Sequence, residues 1–211
     1  MFGQKTEDLR ILTLGTTLNF ADNLGGTTQL NAGIRKGLHA LGAKKTGAFT
    51  QGASLGFTTF VGDLSRLQSL GGPLSAYFLI QGQYSRQSLF SVETFDWGGG
   101  PYVNAYPIDT LSGDSAFEAQ AEVRWDLPTK SLPLHHMQLY TYIDYGSIWL
   151  NLSPQGSAHK NWATGSGIGI RMTLPHGLKA FGEYAIPLRK HVYDMVYKNK
   201  FFVGISYQHS W

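Results

Sequence analysis

The chain has 211 residues, a formal net charge of +3 and no cysteine, with 13% aromatic and 15% charged residues. The lack of cysteine excludes a disulfide scaffold and a thiolate metal site. The positive charges are spread along the sequence instead of forming a basic tract, so no nucleic acid is expected as a partner. No apolar run approaches the roughly 18 residues that a membrane helix needs, which excludes a helical membrane protein.

Alternation of apolar and polar residues with a period of two is the dominant pattern in the chain, and it predicts β-strands. The clearest example places Phe117 and Val123 on one face of a strand. Glu118, Glu122 and Arg124 occupy the opposite face. We predict about ten strands in all. In chain order they cover 8–19, 27–41, 57–70, 74–85, 91–97, 117–127, 137–149, 162–174, 178–186 and 201–211.

Strand length and aromatic placement decide between two all-β architectures. A soluble sandwich or barrel would produce the same alternation with its apolar face buried. Strands of about 10 residues, however, exceed the usual length in globular proteins, and aromatic residues near strand ends resemble the girdles of membrane barrels. These residues are Trp97, Trp125, Trp149, Trp162, Tyr184 and Trp211. We therefore predict an antiparallel transmembrane β-barrel of the bacterial outer membrane.

The connections between strands predict which end of the barrel faces the cell exterior, because extracellular loops are longer than periplasmic turns. Counting back from the C-terminus, the segments assigned to the outside are 187–198, 151–161 and 98–114. The segments assigned to the inside are 175–177 and 86–90. Two segments break the pattern, since the long 42–56 falls inside and the short 70–73 falls outside.

Residues 98–107 form the least strand-like stretch of the sequence. The stretch begins with three successive glycines, which free the backbone from the usual steric limits. Pro101 and Pro107 lack amide donors, so neither a helix nor a sheet ladder can run through it. We predict a shaped loop here.

Several motifs that could indicate enzymatic or metal chemistry lack the context that this chemistry requires. Residues 52–56 match the Gly-x-Ser-x-Gly elbow of serine hydrolases, but no helical pattern follows them. The glycines within 165–169 are spaced by two, which suits a crowded strand face better than a phosphate loop. His135 and His136 point to opposite faces of a strand and cannot easily share a metal. We expect no catalysis and no cofactor.

A longer signature surrounds the predicted loop. It comprises Gly82, Gln83, Tyr84, Ser85, Leu89, Ser91, Glu93, Phe95, residues 103–107, Gly113, Asp114, Glu122, Asp144, Tyr145 and Gly146. Together these residues resemble the C-terminal barrel of two-partner secretion transporters, the haemolysin activation and secretion group of the POTRA-barrel superfamily. The resemblance covers most of the chain, although 151–200 reads as generic barrel apart from short segments.

The resemblance implies a barrel of about sixteen strands in which the loop between the eleventh and twelfth strands folds back into the lumen. Residues 98–114 correspond to that loop. Residues 1–211 would then be the C-terminal part of the barrel domain, and the two periplasmic POTRA domains, the plug helix and about six strands would be absent.

The resemblance also implies where the loop is held. Its tip is assigned to Val103, Asn104, Ala105 and Tyr106, and its seat on the barrel wall to Asp144 and Gly146. The family carries an arginine where this chain has Asn104, so we expect an Asn104–Asp144 hydrogen bond with only one charged partner. Arg124 or Arg171 could instead neutralise Asp144. Glu118, Glu122, Arg124 and Arg171 are expected to line a hydrated lumen.

The implied function is export and activation of a large haemolysin-type or adhesin-type exoprotein, with that exoprotein and outer-membrane lipid as partners. One alternative is an insertase of the same superfamily, which assembles other barrels. A second is a passive pore or structural barrel. A third is that the chain has no independent activity, because an unclosed sheet leaves edge amides unpaired in lipid.

Overall fold

The structure is a computed structural model that describes residues 7–45, 52–98, 104–129, 134–151 and 159–208. The described chain is built from strands and short 3-10 turns, which confirms the all-β prediction. The strands are β1 (Glu7–Asp8), β2 (Ile11–Ala21), β3 (Gly26–Gly37), β4 (Lys44–Lys45), β5 (Thr58–Gly71), β6 (Leu74–Ser85), β7 (Phe95–Trp97), β8 (Leu111–Gly113), β9 (Ser115–Leu127), β10 (His136–Leu150), β11 (His159–Thr173), β12 (Leu178–Pro187), β13 (His191–Val192), β14 (Met195–Val196) and β15 (Lys200–Tyr207). Within these residues, no helix has the length and apolarity to cross a membrane.

Nine long strands form one antiparallel sheet in the order β15-β12-β11-β10-β9-β6-β5-β3-β2. Each long strand pairs with the long strands before and after it in the chain, so the sheet is a simple meander. The strands are 8 to 15 residues long, and all of them except β15 reach the roughly 9 residues that a spanning strand needs. Within the described part of the chain, β2 and β15 each pair along one edge, so the sheet is open.

The predicted strand at 91–97 is wrong. Ser91–Glu93 form a 3-10 turn, and β7 pairs with β8 outside the large sheet. The reason is that β9 occupies the edge of β6 in an unbroken register from Leu74 to Gln83. The sheet therefore has nine strands rather than ten, and 86–114 is a single connection between β6 and β9.

This correction removes both exceptions in the alternation of connections. The short connections are 22–25, 72–73, 128–135 and 174–177, and they lie at one end of the sheet. The connections 38–57, 86–114 and 188–199 are longer, and they lie at the other end together with 151–158, which has eight residues like 128–135. We call these the short-turn end and the long-loop end. Consequently 70–73 moves to the same end as the other short turns, and 42–56 moves to the long-loop end. The predicted inside turn at 86–90 is wrong, because this segment begins the connection 86–114 at the long-loop end.

Burial on the two faces of the sheet is inverted relative to a soluble protein. On the outer face, Val123, Ile143 and Ile168 are about half exposed, at 48%, 53% and 58%. On the opposite, inner face, Glu118 and Glu122 are both 3% exposed. A soluble sandwich would bury the apolar face, so this arrangement contradicts that alternative and is typical of a barrel wall that faces lipid.

Tyrosines of β10 lie flat over glycines of β11 on the inner face. A Cβ added at Gly167 would come within 2.6 Å of the Tyr142 ring, and one at Gly169 would collide with Tyr140. Both tyrosine rings are buried, and they stack with centroids 6.4 Å apart. The glycines spaced by two therefore make room for a tyrosine layer instead of forming a phosphate loop.

The tyrosine layer makes a direct prediction for stability. Gly167→Ala should lower the free energy of unfolding by about 1–3 kcal/mol, because the buried Tyr142 ring must move to admit the new methyl group. Urea titration of the protein refolded in detergent micelles measures this change. Gly182→Ala on the neighbouring β12 is the control, because its added Cβ would have no neighbour closer than 3.9 Å. Equal effects of the two substitutions would contradict the proposed packing.

Candidate functional site

The candidate site is the connection 86–114, which turns back from the long-loop end onto the inner face. Its neck is closed by the pairing of β7 with β8. Gly98 has a φ of 116°, and a side chain there would collide with the carbonyl oxygen of Pro107, so the neck requires glycine. Val103, the first residue of the predicted tip, lies outside the described residues, whereas the other three tip residues are described.

The loop forms the main hydrophobic core of the described chain together with the sheet and the connection 188–199. The buried residues of this core are Trp97, Ala105, Tyr106, Leu111, Ala116, Ile148, Ala163, Ala185, Val192 and Tyr197. They come from the loop, from β9 to β12, and from 188–199. Since the outer face is exposed, most of the apolar packing of this protein lies on the inner side, around the loop.

Trp97 seats the neck of the loop on the sheet. Its side chain is 1% exposed, and a Cβ added at Gly146 would collide with the indole ring. The predicted seat residue Gly146 therefore contacts the loop through Trp97. Because Gly146 has no side chain, the indole ring has room to lie against the sheet. Sequence reasoning placed Trp97 in an aromatic girdle, and that assignment is wrong because the residue is buried on the inner side.

Tyr106 locks the loop tip to β11 and to the connection 188–199. Its hydroxyl lies 2.7 Å from the carbonyl oxygen of Thr164 and 2.9 Å from that of Arg189, so its proton is shared between two acceptors. The ring packs against Trp97 and, edge to face, against Tyr197, with centroids 5.2 and 5.1 Å away. Burial raises the pKa of Tyr106, which keeps the hydroxyl protonated as a donor.

Asn104 contacts a different carboxylate from the expected one. Its Nδ2 donates to Oε1 of Glu183 at 2.8 Å, so the predicted Asn104–Asp144 hydrogen bond is wrong. Glu183, on β12, also accepts hydrogen bonds from Tyr140 at 2.6 Å and from Tyr142 at 2.9 Å. The tyrosine layer thus holds Glu183 under the loop tip, where Asn104 can reach it.

Asp144 is buried with one oxygen unsatisfied. Its Oδ1 accepts the backbone N–H of Gly165 at 2.8 Å, while Oδ2 has no hydrogen-bond partner among the described residues. A Cβ added at Gly165 would lie 2.9 Å from Asp144 Oδ1 and 3.0 Å from the Cβ of Ala105, so the loop tip and Asp144 meet over this glycine. A buried carboxylate oxygen without a hydrogen-bond donor lowers the stability of the folded state. A cationic donor at this position would therefore be stabilising.

Arg124 and Arg171, on the inner face, both pair with Glu122, so they do not neutralise Asp144. Arg171 binds Glu122 in a bidentate pair of 2.7 and 3.0 Å, and Arg124 Nε lies 2.5 Å from the same carboxylate. Each guanidinium also lies over a tyrosine ring: Arg171 over Tyr140 at 3.7 Å, and Arg124 over Tyr77 at 4.5 Å. The remaining lumen charge, Glu118, accepts a short hydrogen bond from Gln81.

Below the loop tip, toward the short-turn end, the inner face has an open groove of about 790 Å³. It is lined by Asn104, Arg124, Gln138, Arg171, Glu183 and Ser206, among others. The lining carries both signs of charge and also includes apolar side chains such as Met172 and Phe181. Such a mixed surface can contact an extended peptide through hydrogen bonds and through apolar packing.

Asp114 joins the loop to its neighbours and was not singled out as a site residue. Its two oxygens accept the backbone N–H groups of Leu89 and Asn151, each at 2.7 Å. Glu93 forms a second link, through an ion pair of 2.8 Å with Arg35 of β3, and burial raises its pKa against the effect of that arginine. Glu93 and Asp114 both belong to the family signature in the sequence, and that membership is the feature from which their role in positioning the loop could have been predicted.

The unsatisfied carboxylate of Asp144 leads to a prediction about the missing arginine. Asn104→Arg should raise the free energy of unfolding by about 1–2 kcal/mol, because a guanidinium beside Glu183 and Asp144 supplies charged hydrogen bonds to buried carboxylates. Urea titration in micelles measures the gain. Asn104→Gln is the matched control, since it lengthens the side chain without adding charge. A gain no larger than that of the glutamine variant would contradict this account.

The double acceptor contact of Tyr106 predicts a local effect on the loop. Tyr106→Phe should weaken docking of the tip by about 1 kcal/mol, since one buried hydrogen bond is lost while the ring packing remains. Hydrogen exchange of the amides at 104–113 should become faster. Tyr145→Phe on the outer face is the control, because its hydroxyl has no hydrogen bond among the described residues. Unchanged exchange in the Tyr106 variant would show that the hydroxyl does not hold the loop.

Comparison with known proteins gives both a family and a structural relative. The family model described as "Haemolysin secretion/activation protein ShlB/FhaC/HecB" matches residues 5–172. Among solved structures, CdiB from Escherichia coli superposes with a TM-score of 0.77 at 18% identity, covering 95% of this chain and 36% of that one. The present chain therefore spans about a third of the length of CdiB, and the likeness shows a shared barrel fold. A search of curated proteins finds no match.

The family match covers most of the chain. It includes the whole signature around the loop, the predicted seat residues Asp144 and Gly146 on β10, and most of β11. The CdiB superposition agrees with it at the level of the fold. The chain belongs to the haemolysin secretion/activation protein family (ShlB/FhaC/HecB), the two-partner secretion transporters of the bacterial outer membrane.

Proposed function

We propose that this chain forms the C-terminal wall and the inward loop of an outer-membrane transporter that exports and activates a large exoprotein of the haemolysin or adhesin type. The observation that carries the proposal is a loop packed by Trp97 and Tyr106 onto a polar, buried inner face, while the outer face is apolar and exposed. A passive structural barrel has no need for such a docked loop. The proposal places the short-turn end in the periplasm and the long-loop end outside the cell.

The chemistry of the inner face suits the passage of an extended polypeptide. Glu183 is held by Tyr140 and Tyr142, Glu118 by Gln81, and Glu122 by two arginines. Because these charges already have partners, a passing segment would gain little by pairing with them. Folding of the exoprotein outside the cell would then supply direction without a nucleotide.

The loop tip would act as the element that shapes the path. Asn104 and the groove below it lie on the same side of the sheet, so the tip borders the space through which the exoprotein moves. The tip is held by neutral hydrogen bonds of Tyr106 and by one charged contact of Asn104. We infer that Asp144 and Gly146 act as its seat, the former through Gly165 and Ala105, the latter through Trp97.

Export of the cognate exoprotein tests this function. In cells that produce the protein in its natural length, Asp144→Ala and Asn104→Ala should each reduce the amount of exoprotein in the medium, because they weaken the seat and the tip. Ile143→Ala, next to Asp144 but on the outer face, should leave export unchanged. Immunoblotting of medium and cells measures export. A difference in electrophoretic mobility between heated and unheated samples verifies that the barrel is folded.

The same experiment separates the alternative functions. If both variants fold and export normally, the assigned roles of the loop and its seat are wrong. If the levels of other outer-membrane barrels fall while export continues, the protein is an insertase. Conductance that does not depend on the exoprotein, with no export defect, would indicate a passive pore.

A further inference from the structure

Cations stack on outward-facing aromatic rings at the long-loop end of the sheet. The Arg189 guanidinium lies over the Trp162 ring, 4.4 Å from its centroid, and Lys160 Nζ lies over Trp149 at 5.1 Å. Trp162 is 40% exposed on the outer face and stacks with Tyr145. The rings therefore position two positive charges at the outer surface, next to each other on β11 and just beyond β12.

Further cations extend this arrangement along the same end. Arg86, just past the end of β6, donates to the hydroxyl of the outward Tyr84 at 3.3 Å. Lys36, near the end of β3 and on the outer face with Leu12, donates to the carbonyl of Gly56 at 2.8 Å. We call Lys36, Arg86, Lys160 and Arg189 the cationic belt. It runs across the long-loop end from β3 to β12.

The members of the belt carry no counter-charge in the described part of the chain, since none of them forms an ion pair with a carboxylate there. By contrast, Arg35, Arg124 and Arg171 on the inner face are paired with glutamates, and Arg66 is paired with Asp22 at the short-turn end. Lys179 and Lys200 on the inner face also form no ion pair with any described residue, so the belt is set apart by its place on the outer face, beside partly exposed aromatic rings.

The geometry of the belt suits phosphate oxygens. Arg189 is oriented by a 2.8 Å hydrogen bond from Nη1 to Asn161 Oδ1, which leaves its Nη2 without an acceptor among the described residues. Lys160 likewise has no described hydrogen-bond acceptor, and its ammonium has three donors. Neighbouring strands are about 4.8 Å apart, so the two groups can reach phosphates on one lipid headgroup. Aromatic rings at the same depth are typical of a membrane interface.

We propose that the cationic belt binds the phosphate groups of a phosphorylated glycolipid of the lipid A class in the outer leaflet. The proposal rests on the outer-membrane orientation proposed above, since the long-loop end then lies in the leaflet where such glycolipids are found. Charge complementarity commits the surface to an anionic headgroup, and the pair Lys160 and Arg189, at neighbouring strands, suits a headgroup with more than one phosphate.

Binding of bis-phosphorylated lipid A to the protein refolded in detergent micelles tests this proposal. Lys160→Gln combined with Arg189→Gln should weaken binding about tenfold, which corresponds to loss of one good charged contact. The matched control is Lys179→Gln combined with Lys200→Gln, which removes the same charge from the inner face and should leave binding unchanged. Fluorescence of a labelled lipid measures affinity, and circular dichroism verifies the strand content.

A second variant covers the case in which the double glutamine variant folds poorly. Lys160→Arg combined with Arg189→Lys keeps the charge and should retain most of the binding. Lipid A without phosphates should bind weakly. The proposal is overturned if both glutamine double variants bind alike, if dephosphorylated lipid A binds as well, or if phosphatidylglycerol binds equally and with the same sensitivity to the substitutions. If the unsubstituted protein failed to export the exoprotein but bound lipid A normally, the proposed function would be contradicted and the lipid proposal would stand.

Discussion

The close approach between Trp97 and Gly146 is the contact on which the rest of the inner side depends. An indole ring can lie against the sheet only where the wall has no side chain, and Gly146 provides that space. With Trp97 in place, Tyr106 packs against it and reaches the backbone carbonyls of Thr164 and Arg189. Hydrophobic burial, which a soluble protein concentrates between its layers, is here concentrated around one loop, while the apolar outer face remains exposed.

Electrostatics set a second constraint on the same loop. Asp144 and Glu183 are buried close to the tip, and the contact that reaches them from the loop is an amide, that of Asn104. Oδ2 of Asp144 has no hydrogen-bond partner among the described residues, so the loop is held mainly by packing, by the Tyr106 hydroxyl and by the contact of Asn104 with Glu183. Because an amide–carboxylate contact has only one charged partner and is weaker than a bidentate ion pair, the tip should release from its seat at lower cost than in an Asn104→Arg variant.

The strand pattern, the inverted faces and the inward position of Asp144 follow from local alternation, which the sequence displays directly. The partner of Asn104 does not, because Glu183 lies 79 residues away and reaches the tip only through the register of β9 to β12. A strand of the sheet was wrongly predicted at 91–97 because a short alternating run resembles a strand. Since β6 pairs with β9, no edge of β6 is free to pair with this segment. Trp97 was assigned to an aromatic girdle because it lies at the end of a predicted strand. The sequence around it does not reveal that the chain turns onto the inner face there.

Disulfide cross-linking of the loop to its seat tests the central claim directly, since the chain has no native cysteine. The Cβ of Ala105 lies 3.0 Å from the Cβ position at Gly165, close to the separation that a disulfide needs after a small adjustment. Ala105→Cys combined with Gly165→Cys should form a bond under mild oxidation in the folded protein. Ala105→Cys combined with Gly182→Cys, on the outer face, should not. If the first pair remained reduced with both thiols accessible to alkylation, the loop would not be docked on the inner face and this account would be wrong.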